Sequence, residues 1–167
     1  MTGRVFLLGD NVDTDQLAPG QYMSGGIAKL AAHCLEGVRP SFAASVAQGD
    51  VIIAGRNFGI GSSREQAAEA LKHLGLAGVV ARSFAGIFYR NAINLGLPVL
   101  TAADPSAAED GDAAILDIEN NLLDLPGKRH AIPLDPLPDN LKTLLADGGL
   151  VPHLKKRLAT EREKKQS

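Results

Sequence analysis

Between residues 51 and 100 the sequence alternates three short apolar runs with two amphipathic segments, and this alternation constrains the fold more than any other feature. Val51-Ile52-Ile53-Ala54 is a continuous apolar run, the pattern of a strand buried on both faces. Val79-Val80-Ala81 and Leu97-Pro98-Val99-Leu100 read the same way. Ala67, Ala68, Leu71 and Leu74 mark a helix between the first two runs, closed by Gly75. Phe84, Phe88, Asn91/Ala92 and Leu95 mark another before the third, stopped by Gly96. Strand–loop–helix–strand–helix–strand is an α/β unit. Upstream, Arg4 to Leu8 reads as a strand. A polar loop runs from Gly9 to Gln16, and Leu17-Ala18-Pro19-Gly20 signals a turn. Gln21 to Gly26 reads as mobile. Ile27, Leu30, Ala31, Cys34 and Leu35 form an amphipathic stripe that Gly37 would end. Downstream, Ala113–Ile118 and Asn121–Asp124 read as a hairpin. Pro126, Pro133, Pro136 and Pro138 punctuate a loop-rich stretch, and Leu141 to Ala146 reads as a short helix. At 167 residues the chain is long enough for one domain. We place that domain at residues 1–153, followed by a charged, helix-prone tail at 154–167.

The first strand of the α/β unit leads into Gly55-Arg56-Asn57-Phe58-Gly59-Ile60-Gly61-Ser62-Ser63-Arg64-Glu65-Gln66. A strand followed by glycines and a helix start is a backbone cradle for an anion. The common nucleotide motifs fail here. Ser62 stands where a phosphate-binding loop needs Lys, and Arg64 stands where a dinucleotide fingerprint needs its third Gly. No nucleophile elbow is present. A small-carboxylate site remains. Ser62 and Ser63 lie at a predicted helix N-terminus, where unpaired N–H groups and the helix dipole favour negative charge. Arg64 can grip a carboxylate with two parallel hydrogen bonds. The same field eases deprotonation of a serine, so Ser62 or Ser63 is a candidate base as well as a ligand. A simpler reading competes, because Ser62-x-x-Glu65 and Ser63-x-x-Gln66 both satisfy the capping-box pattern. The glycines Gly55, Gly59 and Gly61 exceed what a cap requires.

Composition removes several function classes. Nineteen acids against seventeen bases leave a net charge of −2, which is no footprint for nucleic acid or a membrane surface. No stretch of about 18 apolar residues could span a bilayer. A soluble, cytoplasmic setting is the expectation. The single cysteine, Cys34, lies on an apolar stripe and reads as core. One thiol cannot hold an iron–sulfur cluster, which takes about four, and the four His fall in no metal-ligand spacing. No metal site is expected on this chain, so any metal chemistry would come from a partner.

Three segments, in order, resemble the swivelling domain of the aconitase superfamily. NFGIGSSREQAAEAL resembles its NFGxGSSREHA signature. GDNVDTDQLAPG resembles its D-N-(I/V)-D-T-D loop, and ARSFAGIFYRNAINLGLPVL its SFAxIFxxNxxNxGLPVL stretch. GDVIIAGRNFG and the late GGL also fit. Within the superfamily the resemblance is to the free-standing small subunits of isopropylmalate dehydratase and related hydro-lyases.

That resemblance implies a three-layered β/β/α swivelling domain. It implies an enzyme subunit active only with a large partner that carries a [4Fe–4S] cluster, none of it bound by this chain. The implied reaction is dehydration and rehydration of a small hydroxy-dicarboxylate, most simply 3-isopropylmalate/2-isopropylmalate in leucine biosynthesis, with cluster iron as Lewis acid. Ser62 matches the family's alkoxide base, and Ser63 and Arg64 match its carboxylate ligands. Asp15 matches an acidic active-site position, or is an Asx-turn or cap. Two positions depart from the pattern: Ile60 where many relatives have a small residue, and Gln66 for the common His. Tricarboxylate-using relatives carry an Arg in the loop after D-T-D. Here Gln21 to Gly26 offers no basic residue before Lys29, and an unpaired buried carboxylate costs several kcal/mol. The expected substrate therefore carries an apolar or small group there, with Tyr22 and Met23 as specificity candidates or as loop residues packing on the partner. Dimethylmalate, citramalate or homoaconitate hydro-lyases are the same-class alternatives, and a non-catalytic RNA-binding module is the different-class one.

Overall fold

The computed structural model describes residues 1–167. Its strands are β1 (Gly3–Leu7), β2 (Val51–Ala54), β3 (Gly78–Ala81), β4 (Val99–Thr101), β5 (Ala113–Asp117), β6 (Leu122–Leu125) and β7 (His130–Pro133). Its helices are α1 (Thr14–Leu17), α2 (Ile27–Ala32), α3 (Phe42–Ser45), α4 (Glu65–His73), α5 (Gly86–Leu95), α6 (Asp139–Ala146) and α7 (Leu150–Gln166). The strands form one sheet in the order β4-β3-β2-β1-β5-β6-β7. β1 to β4 are mutually parallel, with Val5 opposite Val51, Ile52 opposite Val79 and Val80 opposite Leu100. β5 to β7 are antiparallel and join β1 through just two residue pairs, Gly3 with Ala114 and Arg4 with Ala113.

That narrow joint lets the sheet curl over on itself, and the alternation of side chains along the strands shows the result. Phe6, Ile52, Ala54, Val79, Ala81 and Val99 point into one core with Leu30, Phe42, Leu71 and Phe88 of the helices. Val5, Val51, Ile53, Val80 and Leu100 point into a second core with Leu123, Leu125 and Ile132. The parallel strands are thus buried on both faces, by helices on one side and by the antiparallel half on the other. This is the expected β/β/α arrangement, and it explains why β2 and β3 read as unbroken apolar runs. With few aromatics available, the helix-side core relies on small residues for close approach. Ala67, Ala68 and Ala70 of α4 are fully buried.

Several elements depart from the sequence reading. The stripe from Ile27 to Leu35 is not one helix ended by Gly37. α2 stops at Ala32, and Leu35 takes a left-handed φ of 60° while its N–H bonds to Gln16 O. Leu30, Ala31, Cys34 and Leu35 are buried all the same. The Gly20–Gly25 segment winds into a 3-10 helix. The charged segment expected from residue 154 continues a helix that starts at Leu150, and none of its residues is buried. Asp147 anchors that helix by accepting from His153 and Lys156.

Candidate active site

The loops after β1, β2 and β3 leave the carboxyl ends of neighbouring parallel strands, where α/β sheets present their sites. They stay zipped beyond the sheet. Gly59 N–H bonds to Val12 O, Thr14 N–H to Ile60 O, Phe58 N–H to Ser83 O and Ala85 N–H to Phe58 O. Asn11 and Asn57 lie opposite one another with φ of 59° and 58°, and Asn57 Nδ2 donates to Asn11 Oδ1 at 3.1 Å. Asn tolerates this left-handed geometry better than other side chains.

Two glycines are required by the geometry. Gly59 has φ of 84°, and a Cβ there would collide with the Phe88 side chain. Gly61 has φ of 114°, and a Cβ would lie 2.9 Å from Thr14 Oγ1. Both allow the loop to lie flat on its neighbours just before the serines.

Neither capping box of the competing reading forms. α4 starts at Glu65 with Arg64 as its N-cap residue and no side-chain cap. Ser62 and Ser63 therefore lie outside the helix, not at its first turn, and both are exposed. Their backbone is claimed by other loops instead. Ser62 N–H donates to Thr14 Oγ1 at 3.0 Å, and Asn91 Nδ2 of α5 donates to Ser63 O at 3.3 Å. The capping box of this region belongs to α1, where Asp13 and Gln16 bond reciprocally. That leaves Asp15 uncommitted to a cap. Its carboxylate accepts from Arg64 Nη1, which also donates to Ala18 O at 3.3 Å.

Ser62, Arg64 and Asp15 are thus brought together from loops that are far apart in sequence. Thr14 joins them. It is 1% exposed, and its Oγ1 lies 3.0 Å from Ser62 Oγ. The sequence reading overlooked Thr14, because no local pattern links it to a serine 48 positions away. Tyr22 and Met23 are held by the helix layer. Tyr22 stacks on His33 with ring centroids 3.5 Å apart, and His33 Nδ1 bonds to Glu36 at 2.6 Å. That hydrogen bond holds the Glu36 carboxyl below its ordinary range. Met23 lines a shallow depression of about 260 Å³ with Ile27, Leu30, Gln66 and Glu69, beside the first turns of α4.

Curled sheet, zipped loops and paired serines define an aconitase-type C-terminal domain, and the family model of that description matches residues 42–105. The chain is 48% identical over 159 residues to the methanogen homoaconitase small subunit of Methanothermobacter thermautotrophicus, covering 95% of this chain and 92% of that one. It is 45% identical over 158 residues to 3-isopropylmalate dehydratase small subunit 1 of Thermotoga maritima, covering 92% and 94%. A crystal structure of 3-isopropylmalate dehydratase from Methanocaldococcus jannaschii superposes with a TM-score of 0.92 at 43% identity, covering 98% of each chain. The chain belongs to the 3-isopropylmalate dehydratase small-subunit family, and it is a hydro-lyase small subunit.

Proposed function

We propose that this chain closes the active site of a two-subunit hydro-lyase that interconverts 3-isopropylmalate and 2-isopropylmalate in the cytoplasm. The observation that carries the reading is the exposed Ser62 hydroxyl, fixed at both its backbone N–H and its Oγ by Thr14, with Arg64 two residues further on paired to the neighbouring Asp15. In this reading Ser62, as alkoxide, removes the carbon-bound proton beside the departing hydroxyl and returns a proton when water adds at the neighbouring carbon. Ser63 and Arg64 hold a substrate carboxylate, Arg64 through its fork. Asp15 holds Arg64 in place, and Gly59 and Gly61 shape the loop.

The [4Fe–4S] cluster implied by the family does not fit this chain. Cys34 is fully buried in the helix-side core, and burial pushes its thiol up to about 12. No three candidate ligand side chains converge anywhere. In this reading the cluster belongs to the large partner.

The specificity reading rests on the 3-10 helix at Gly20–Gly25. It contains no basic residue, and Gly20 lies 3.8 Å from Arg64 Nη2, measured to the position a Cβ would take. A second carboxylate directed there would find no cation within the segment itself and would have to turn to Arg64, beside Gly20, or to Lys29, whose stem lies against Gly25. The relative named as a homoaconitase subunit keeps a tricarboxylate in play as a second reading. A substrate panel on the co-expressed pair separates them. The proposal expects kcat/KM for 3-isopropylmalate to exceed that for homoaconitate at least tenfold (about 1.4 kcal/mol). A preference for the tricarboxylate overturns it.

A further inference from the structure

We infer that Thr14 is a positioning residue that stabilises the deprotonated form of Ser62. The inference rests on the proposed role of Ser62 as base. A threonine hydroxyl has one hydrogen to donate and two lone pairs. Ser62 N–H already donates to Thr14 Oγ1 at 3.0 Å, so one lone pair is taken. Ser62 Oγ lies 3.0 Å from the same oxygen. Either hydroxyl can donate while both are protonated. Once Ser62 is an alkoxide, only Thr14 can, and the bond becomes a charge-assisted one, roughly twice as strong as its neutral counterpart. The interaction therefore favours the reactive form of the base over the resting form.

The surroundings prepare Thr14 for this task. It is 1% exposed, so little water competes for its hydrogen. Its own N–H is bound to Ile60 O at 2.8 Å, and Asp13 and Gln16 cap the helix in which it is the first residue. The main chain is thus fixed on both sides of the donor. Gly61 is the residue that lets the hydroxyl approach, because any side chain at position 61 would crowd Thr14 Oγ1.

The test uses the co-expressed two-subunit enzyme with Thr14→Val, Thr14→Ser and Ser62→Ala. Thr14→Val keeps the shape and loses the hydroxyl, both as donor to Ser62 Oγ and as acceptor of Ser62 N–H. It is expected to lower kcat about 10- to 100-fold, change KM by less than about threefold, and move the rising limb of kcat against pH upward by about one unit. Thr14→Ser keeps the donor and is expected to restore both kcat and the pH profile. If Thr14→Val does not fold, Thr14→Ala is read in the same assays with the same expectations. Near-normal kcat and an unmoved pH profile in the donor-less variant, with Ser62→Ala inactive, overturn the Thr14 inference and leave the Ser62 reading intact. A Thr14→Ser enzyme as impaired as Thr14→Val shows that packing, not the hydroxyl, is what matters, and also overturns it. An active Ser62→Ala enzyme overturns the underlying reading instead.

Discussion

Arg64 and Asp15, 49 positions apart, meet as an ion pair that ties the start of α4 to α1. The Asp15 side chain is 73% exposed and that of Arg64 31%, so the pair contributes only about 0–1 kcal/mol to stability. Its value is geometric. Arg64→Lys keeps the charge and loses the fork. We expect KM to rise about tenfold or more with a smaller change in kcat, as for loss of ground-state binding. Asp15→Asn should leave the melting temperature within about 3 °C and also raise KM. An unchanged KM in both variants contradicts the assignment of Arg64 to the carboxylate.

Gly59 is a packing requirement that can be measured without any partner. Alanine there forces a left-handed φ, costing roughly 1–2 kcal/mol, and pushes into Phe88, costing about 1–3 kcal/mol. Gly59→Ala should lower the melting temperature by about 5–15 °C. Gly9, which has open space around its Cβ position, is the control, and Gly9→Ala should melt like the parent.

Cys34 titrates in a direction that sets the alkaline behaviour. Burial raises its thiol from 9.0 to about 12. A group whose pKa is raised by folding stabilises the fold below its unfolded value. That contribution is complete below about pH 9 and is lost as the pH climbs toward 12. A disulfide reagent at pH 8 should leave the folded chain unlabelled and label it fully in denaturant. Rapid labelling of the native chain would place Cys34 outside the core.

Asp110 sets the acid side. The Arg39 guanidinium, donating to both carboxylate oxygens, holds its carboxyl down at about 2, and Leu7 N–H adds a further bond at the end of β1. A lowered pKa stabilises the fold above the unfolded value and is lost as the pH falls from about 4 toward 2. Both side chains meet solvent, so screening limits the effect to roughly 0.5–1 kcal/mol. Arg39→Met should make acid unfolding start at a higher pH while leaving stability at pH 9 nearly as it was relative to pH 7. An acid midpoint identical to that of the parent contradicts this account.

The parallel half of the fold was legible because its signals are local. Runs such as Val51–Ala54 and helices closed by Gly75 and Gly96 each carry their own evidence within ten residues. The antiparallel half was only partly so. The Ala113–Asp124 hairpin was readable, but β7 was not, since of His130–Pro133 only Ile132 is buried and Pro133 ends the strand. α1 carries no sequence signal, because four residues show no periodicity. The site divides in the same way. Ser62, Ser63 and Arg64 announce themselves by their glycines. Their backbone partners do not, because Thr14 and Asn91 reach them through tertiary contacts. That is also why the capping pattern around Ser62 and Ser63 forms no cap. The loop that Ser62 belongs to is drawn toward α1 before α4 begins.

In the proposed function this chain supplies the base of a hydro-lyase. Steady-state turnover of 3-isopropylmalate by the co-expressed pair carrying Ser62→Ala tests it most directly. We expect kcat to fall by at least about a thousandfold, as for loss of a group that acts only in the transition state, while KM stays within a few-fold and the two subunits still assemble. Assembly with near-normal kcat would contradict it.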